Sequence, residues 1–417
     1  MALHARAAPP AAAVAFRERI LLMVLFVTVL ASSVAFIEPS PHDALMCVLL
    51  VTCVVAGVRF ERLLALPFLL LLVWNIGGIL SLLNVPAEEK AIQYTATSFY
   101  LAVAAMLFAC LFAQNTMARL ATMRVAYVLT ATLISLAGIA GYFSLFPHAH
   151  DLFATFDRAL GAFKDPNVFG PFLIWPALIV IERMLTRHIG MLDLSIVGIL
   201  LLGLLLSFSR GAWFHFAVSC AVTVALTMLT APTLRERFRI FGFSAASIGA
   251  LAVAVVLLLS FPSIGSMFAQ RAQLIQYYDV GEGGRFELQR LALSVVLNFF
   301  NGMGPFEFAR VYGLQQHNVY LQAFIVYGWI GGMAYVVLLA STLWIGVRTV
   351  FVRTPWQPYM ITALAAFFGE ALEGFVIDTD HWRHSYLLLG MVWGLAAATL
   401  NQRQQAMQRG GVYVGAV

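Results

Sequence analysis

Residues 189–230 read IGMLDLSIVGILLLGLLLSFSRGAWFHFAVSCAVTVALTMLT. Two apolar runs, Ile189–Phe208 and Gly211–Thr230, each approach the roughly 20 residues a helix needs to cross a hydrocarbon core. The join between them, Ser207-Phe208-Ser209-Arg210-Gly211, leaves room only for a tight hairpin. Arg210 must therefore stand at a membrane boundary or dip into a bundle of helices.

Working outward, the same pattern recurs along the chain. Before this stretch lie Ile20–Ile37, Ala44–Val58, Leu63–Leu83, Ala91–Ala113, Val125–Phe146 and Val168–Ile181; after it come Phe241–Phe261, Asn318–Gly346, Pro358–Ile377 and Ser385–Leu400. Hydrophobic residues make up 61% of the chain and charged residues 11%, where a soluble domain carries about a quarter charged. The sequence thus predicts an all-α polytopic membrane protein with about 12 transmembrane helices, residues 1–417 forming a single transmembrane domain. A large loop, residues 262–317, falls between the ninth and tenth helices. Within it Arg285–Phe300 has helical character, and is expected to lie on the membrane surface or cap the bundle. Asn301-Gly302-Met303-Gly304-Pro305 then reads as a turn.

The arginines orient the bundle. One alternating set of segments holds 16 of the 25 basic residues and five acids; the other holds nine basic residues and 15 acids. The first set includes Arg6, Arg17, Arg19, Arg59, Arg62, Arg119, Arg124, Arg183, Arg187, Arg235, Arg237, Arg239, Arg348, Arg353, Arg403 and Arg409. Basic loops stay on the cytoplasmic side, so both termini are expected there and the large loop on the opposite face. Arg17 and Arg19 before an apolar run, with small residues over Ala31–Ala35, resemble a cleavable signal. That run is long for one and is read as the first span.

Several function classes fall away. The net charge of +5 comes without a basic cluster interleaved with aromatics, so nucleic acid is not an expected partner. Cys47, Cys53, Cys110 and Cys220 all lie in apolar runs and lack ligand spacing, which predicts neither a disulfide nor a metal. A polysaccharide or lipid transporter is the competing class, but it would show related halves and ionisable groups at mid-membrane. Here the polar residues gather at one rim.

Five clusters at that rim need an explanation. A guanidinium at Arg210 can clamp a phosphate through two parallel hydrogen bonds; the plainer reading is an arginine snorkelling to headgroups. In Gln315-Gln316-His317-Asn318 an imidazole at a cavity mouth could accept a proton near neutrality, or simply bond a carbonyl. Lys164-Asp165-Pro166-Asn167 reads first as a helix cap, which ligand contact does not exclude. Asp378-Thr379-Asp380-His381-Trp382-Arg383-His384 reads as a salt-bridged tether between loops, with Glu370 and Glu373 expected to pair with an arginine. Arg285, a cation at a helix start, is out of place electrostatically and weakly supports a ligand or a partner carboxylate.

Taken in order, several segments resemble the O-antigen ligase and O-antigen polymerase superfamily of bacterial polysaccharide assembly. They are Lys164-Asp165-Pro166-Asn167-Val168-Phe169-Gly170, Leu206-Ser207-Phe208-Ser209-Arg210-Gly211-Ala212-Trp213, Gly302-Met303-Gly304-Pro305, His317-Asn318-Val319-Tyr320-Leu321-Gln322 and Gly328-Trp329-Ile330-Gly331-Gly332. The resemblance is strong over roughly Gly161 to Gly332, and the flanking helices match only by count and hydropathy. It implies a bacterial inner-membrane enzyme that moves a glycan from undecaprenyl pyrophosphate to a sugar hydroxyl at the periplasmic face. The acceptor is lipid A–core in a ligase, toward which the compact loop leans, or another lipid-linked repeat in a polymerase. By this resemblance Arg210 and His317 are catalytic, and Arg285, Asn318, Lys164, Asp165 and Asn167 bind substrate. Arg210 and Arg285 would hold the leaving pyrophosphate and His317 would take the hydroxyl proton, inverting the anomeric carbon with no metal or other cofactor. The arrangement requires Arg210 and His317 to face one cavity.

Overall fold

A computed structural model describes residues 11–85, 88–187, 189–273 and 284–408. Of the residues used above, Arg6 and Arg409 lie outside them. The described chain is helical almost throughout. It runs α1 (Ala11–Leu30), α2 (Pro41–Ala56), α3 (Ala65–Ser81), α4 (Glu89–Ala113), α5 (Thr116–Tyr142) and the short α6 (Ala149–Phe153). A two-residue hairpin follows, β1 (Ala154–Thr155) against β2 (Arg158–Ala159), antiparallel. Next come α7 (Pro166–Phe172), α8 (Ile174–Thr186), α9 (Met191–Leu206), α10 (Arg210–Thr230), α11 (Leu234–Leu259) and α12 (Pro262–Arg271). The last five are α13 (Arg285–Asn298), α14 (Glu307–Tyr312), α15 (Val319–Val350), α16 (Gln357–Glu373) and α17 (Arg383–Gln408).

Among the described residues seven helical stretches are long and apolar enough to cross a membrane: 62–84, 89–113, 116–142, 166–186, 210–230, 234–259 and 319–350. Two shorter apolar helices, α2 and α9, accompany them. The protein is a multi-pass, all-helical membrane protein. α11 makes the point physically: beyond Arg239 it is apolar on every side, yet Ile240 is its only buried residue. Such a helix is stable only where lipid covers it.

Local chemistry starts these helices. Asp165, Ser209, Thr233 and Asn318 each occupy the N-cap of the helix that follows and accept a backbone N–H from its first turn, satisfying a donor left open there. Contacts then join the loops within each of the two sets that charge separates. In the arginine-rich set, Arg119 holds Glu18 at 2.9 Å, Gln114 exchanges hydrogen bonds with the Arg59 backbone, and Arg239 donates to the Leu185 and Thr186 carbonyls. In the other set Arg383 holds Asp43 at 2.8 Å, and the Tyr94 hydroxyl donates to Asp380 at 2.6 Å.

The surface helix and the turn after it dock on a break in α15. Gly328 has φ 67° and ψ −176°, a conformation that only glycine adopts readily. The break releases the Ile325 carbonyl and the Trp329 N–H from the helix ladder. Met303 N–H donates to Ile325 at 2.7 Å and Trp329 N–H to the Phe300 carbonyl at 2.8 Å. Two glycine motifs far apart in sequence thus complete each other, as buried backbone near a membrane must. α13 buries Leu288, Ala292, Val295 and Val296 against the bundle and leaves Phe286, Leu293, Leu297 and Phe300 exposed, the face of a helix lying along a lipid surface.

Gly328→Ala is expected to destabilise the fold by about 1–3 kcal/mol, since its Cβ would also stand 2.8 Å from the Asn301 backbone. Gly242→Ala in α11, where a Cβ meets nothing within 4 Å, is the matched control. Thermal unfolding in detergent checks the pair; equal melting temperatures would remove the docking role given to this break.

Candidate active site

The site is assembled around the last turns of α16. A helix leaves its final carbonyls without internal partners, and here other elements supply them. Tyr320 Oη donates to Ala371 (2.6 Å), Val319 N–H to Gly374 (2.8 Å) and Asn318 Nδ2 to Phe375 (3.1 Å). Gln289 Nε2 of α13 donates to Phe375 at 3.2 Å and to the His317 carbonyl at 3.3 Å. From the other side His215 of α10, fully buried, meets Glu373 Oε2 through Nδ1 at 2.8 Å and the Ala366 carbonyl through Nε2 at 2.9 Å. The carbonyl can only accept, so Nε2 carries a proton.

This convergence puts both predicted catalytic segments on one helix end. A Cβ at Gly211 would lie 2.6 Å from Glu373 Oε1, so the residue after Arg210 is in contact with α16. Arg210 itself is half-buried and donates to the Gln273 carbonyl at 3.0 Å, at the end of α12. On the neighbouring side His317 and Asn318 are bound to Gly374 and Phe375 through the bonds above. Phe208 (φ 46°) and His317 (φ 47°) both adopt the left-handed conformation, uncommon for side-chain-bearing residues and costly by about 1–3 kcal/mol. The surroundings hold each motif in a bend it would not choose alone.

His317 is the most accessible of the polar side chains here, 45% exposed, and its Nδ1 lies 3.6 Å from Asp378 Oδ2. A carboxylate behind an imidazole orients the ring and leaves the other nitrogen for chemistry. Burial pushes the Asp378 carboxyl above the usual range, although His317 pulls the other way. A polar chain braces the two loops. Gln316 donates to Gln322, Gln322 to the Tyr94 hydroxyl (3.1 Å), and Tyr94 to Asp380. Burial would raise Asp380 too, but His381 at 3.1 Å and the Tyr94 hydroxyl outweigh it and hold that carboxyl below its ordinary value.

The remaining predicted residues fall into two groups. Arg285 opens α13 one turn before Gln289, on the same helical face. Asn318 caps α15, accepting from Tyr320 and Leu321 N–H at 3.0 and 3.1 Å. Asp165 caps α7 by accepting Asn167 N–H at 2.8 Å. Lys164 pairs with Glu38 at 2.8 Å, both more than half exposed. Asn167 accepts from Arg158 Nη2 at 2.8 Å, and Arg158 Nε donates to the Ser207 carbonyl, also at 2.8 Å. Arg158 therefore links the segment 164–167 to the hairpin carrying Arg210.

Sequence reasoning missed Asp378 as the partner of His317, Arg158 as the link, and His215. It also erred on the glutamates: Glu373 pairs with His215 and Glu370 accepts from Ser385, where an arginine was expected. An ionisable residue within an apolar span is itself a signal, so His215 could have been found. Asp378 stood in a cluster already singled out, but no spacing ties it to a histidine in another loop. Among the described residues no group of three or more His, Cys, Asp or Glu could hold a metal ion.

Residues 195–336 match the family described as O-antigen ligase. The matched segment contains Arg210, Arg285, His317 and Asn318. The superfamily resemblance read from the motifs is thereby supported. No curated protein sequence matches the chain.

Because burial raises the Asp378 pKa, its ionisation is harder in the folded chain than in the unfolded one. That contribution to stability is full below about pH 4 and is lost as pH rises through the raised pKa. Asp378→Asn removes the penalty, so the variant should gain on the wild type as pH rises above about 4. Melting curves across that range check it; a difference that stays flat with pH would contradict the assignment.

Proposed function

We propose that the protein transfers a glycan from undecaprenyl pyrophosphate to a sugar hydroxyl on lipid A–core, acting as an O-antigen ligase at the periplasmic face of the bacterial inner membrane. The supporting observation is the His317–Asp378 pair standing on the same helix end as the hairpin of Arg210. The family match supports O-antigen ligase or polymerase chemistry in general. In this reading about 12 spans cross the membrane, both termini are cytoplasmic, and the α16 end of the bundle faces the periplasm.

The chemistry follows from the groups present. His317, oriented by Asp378, takes the proton of the acceptor hydroxyl as that oxygen attacks the anomeric carbon. The glycosidic bond to the carrier breaks on the opposite side, so the configuration inverts. Pyrophosphate is a good leaving group and needs charge stabilisation more than a proton. Arg210 and Arg285 supply it, each able to grip two phosphate oxygens. No metal is required in this scheme. Asn318, Lys164, Asp165 and Asn167 are proposed to line the substrate path, the first and third while also capping helices. The exposed apolar face of α13 would lie against the carrier's polyprenyl tail.

Reconstitution with an undecaprenyl-pyrophosphate glycan tests the proposal. With lipid A–core as acceptor, His317→Ala should reduce transfer by about 10²–10⁴-fold and Arg210→Ala by about 10²–10³-fold. Full transfer by both variants would rule the mechanism out. Elongation of donor by donor, with lipid A–core left untouched, would assign the protein as a polymerase instead. Asp378→Asn should leave the substrate KM nearly unchanged while lowering kcat, because it positions the base and touches no substrate.

A further inference from the structure

At the far end of the bundle lies a second site that the transfer reaction does not use. A cleft of about 840 Å³ opens between α5, α8, α9 and the start of α16, within the roughly 300–1,000 Å³ of small-molecule sites. It is remote from His317. Tyr359 in its wall is 14 residues before Glu373 on α16, roughly 20 Å along a helix. Its walls are apolar, with Val128, Ile179 and Ile196 among them, and Arg124, Arg183 and Arg187 border it.

These cations are not equivalent. Arg183 is paired with Asp193. The side chains of Arg124 and Arg187 make no ion pair or hydrogen bond among the described residues, and both stand within electrostatic reach of Arg183. Glu182, the acid in the lining, stands within electrostatic reach of Arg187, but with Arg124 and Arg183 beside it positive charge still prevails. Val125, Leu129 and Leu192 at the rim are 49%, 41% and 70% exposed; on a membrane protein that exposure is to hydrocarbon. A ligand there meets guanidinium groups at one end and an apolar channel continuous with the bilayer at the other.

We infer that this cleft holds an anionic glycerophospholipid, its phosphate gripped by Arg124 and Arg187 and its acyl chains lying along α5 and α9. Charge complementarity selects the headgroup: basic pockets between membrane helices suit anionic lipid. The open rim selects a lipid over a soluble phosphate, since acyl chains can leave the cleft sideways into the membrane.

Native mass spectrometry of the detergent-solubilised protein, titrated with cardiolipin, phosphatidylglycerol or phosphatidylcholine, tests it. The anionic lipids should be retained and phosphatidylcholine lost. Each arginine near a membrane surface contributes a factor of about five, so the double variant Arg124→Gln, Arg187→Gln should hold cardiolipin about 25-fold more weakly. The double variant Arg124→Lys, Arg187→Lys keeps the charge and should stay within about threefold of wild type. Equal retention of phosphatidylcholine, or unchanged binding in the glutamine variant, would overturn the inference. So would equal loss in the lysine and glutamine variants, because charge would then not be the holding force. Displacement of the lipid by inorganic phosphate would reassign the cleft to a soluble anion and equally end the lipid proposal.

Discussion

Backbone carbonyls at the end of a helix must find donors, and near a membrane water is a poor supplier. In this protein that requirement is met at the end of α16 by three other elements. α15 contributes Val319 N–H and Tyr320, the loop before it Asn318, and α13 contributes Gln289, while α10 braces the same helix through His215 and the Glu373 side chain. Each donor satisfies a group that would otherwise cost free energy to bury. The same bonds fix where Arg210 and His317 stand, so the site's geometry is a by-product of closing a helix.

Stability and reactivity are thereby coupled. The residues that hold α16 are buried: His215, Glu373 and Asn318 are all below a tenth exposed. Those assigned to chemistry remain accessible, with His317 at 45% and Arg210 half-buried. Adjacent positions in one segment take opposite parts, Asn318 capping a helix while His317 faces outward in a strained backbone conformation. Such strain persists only where the surroundings over-determine it, and the polar chain from Gln316 through Tyr94 to Asp380 provides that determination. The two ends of the bundle are correspondingly different. One concentrates hydrogen-bonded loops and acids around His317; the other presents arginines around an apolar cleft.

Much of this was legible in the sequence because bilayer physics acts on composition directly. Apolar runs such as 189–208 and 211–230 announce themselves without any knowledge of their neighbours, since lipid demands the same of every span. The cap at Asp165 was equally readable. It acts on an N–H group only two positions away, so chain proximity alone specifies it, as it does the caps at Ser209 and Asn318 that only the structure revealed. The surface helix from Arg285 and the turn at Asn301–Pro305 were readable for the same local reason, and the order of motifs carried the superfamily resemblance.

What tertiary structure alone decided is every contact that spans long sequence separations. Asp378 behind His317, and Glu373 beside Gly211 and against His215, depend on how α10, α15 and α16 pack, and Arg158 bridging Asn167 to Ser207 depends on how β2, α7 and α9 meet. That packing is set by the shapes of apolar surfaces which hydropathy counts as equivalent. The break at Gly328 belongs to the same class: its glycine was visible, but its purpose exists only because the turn at Asn301–Gly304 arrives there to accept and donate the released hydrogen bonds. Sequence singled out the candidate site residues and the segments that meet lipid, because those are properties of single positions and short runs. Folding decided which of those residues meet one another, because pairing is a property of distance in space.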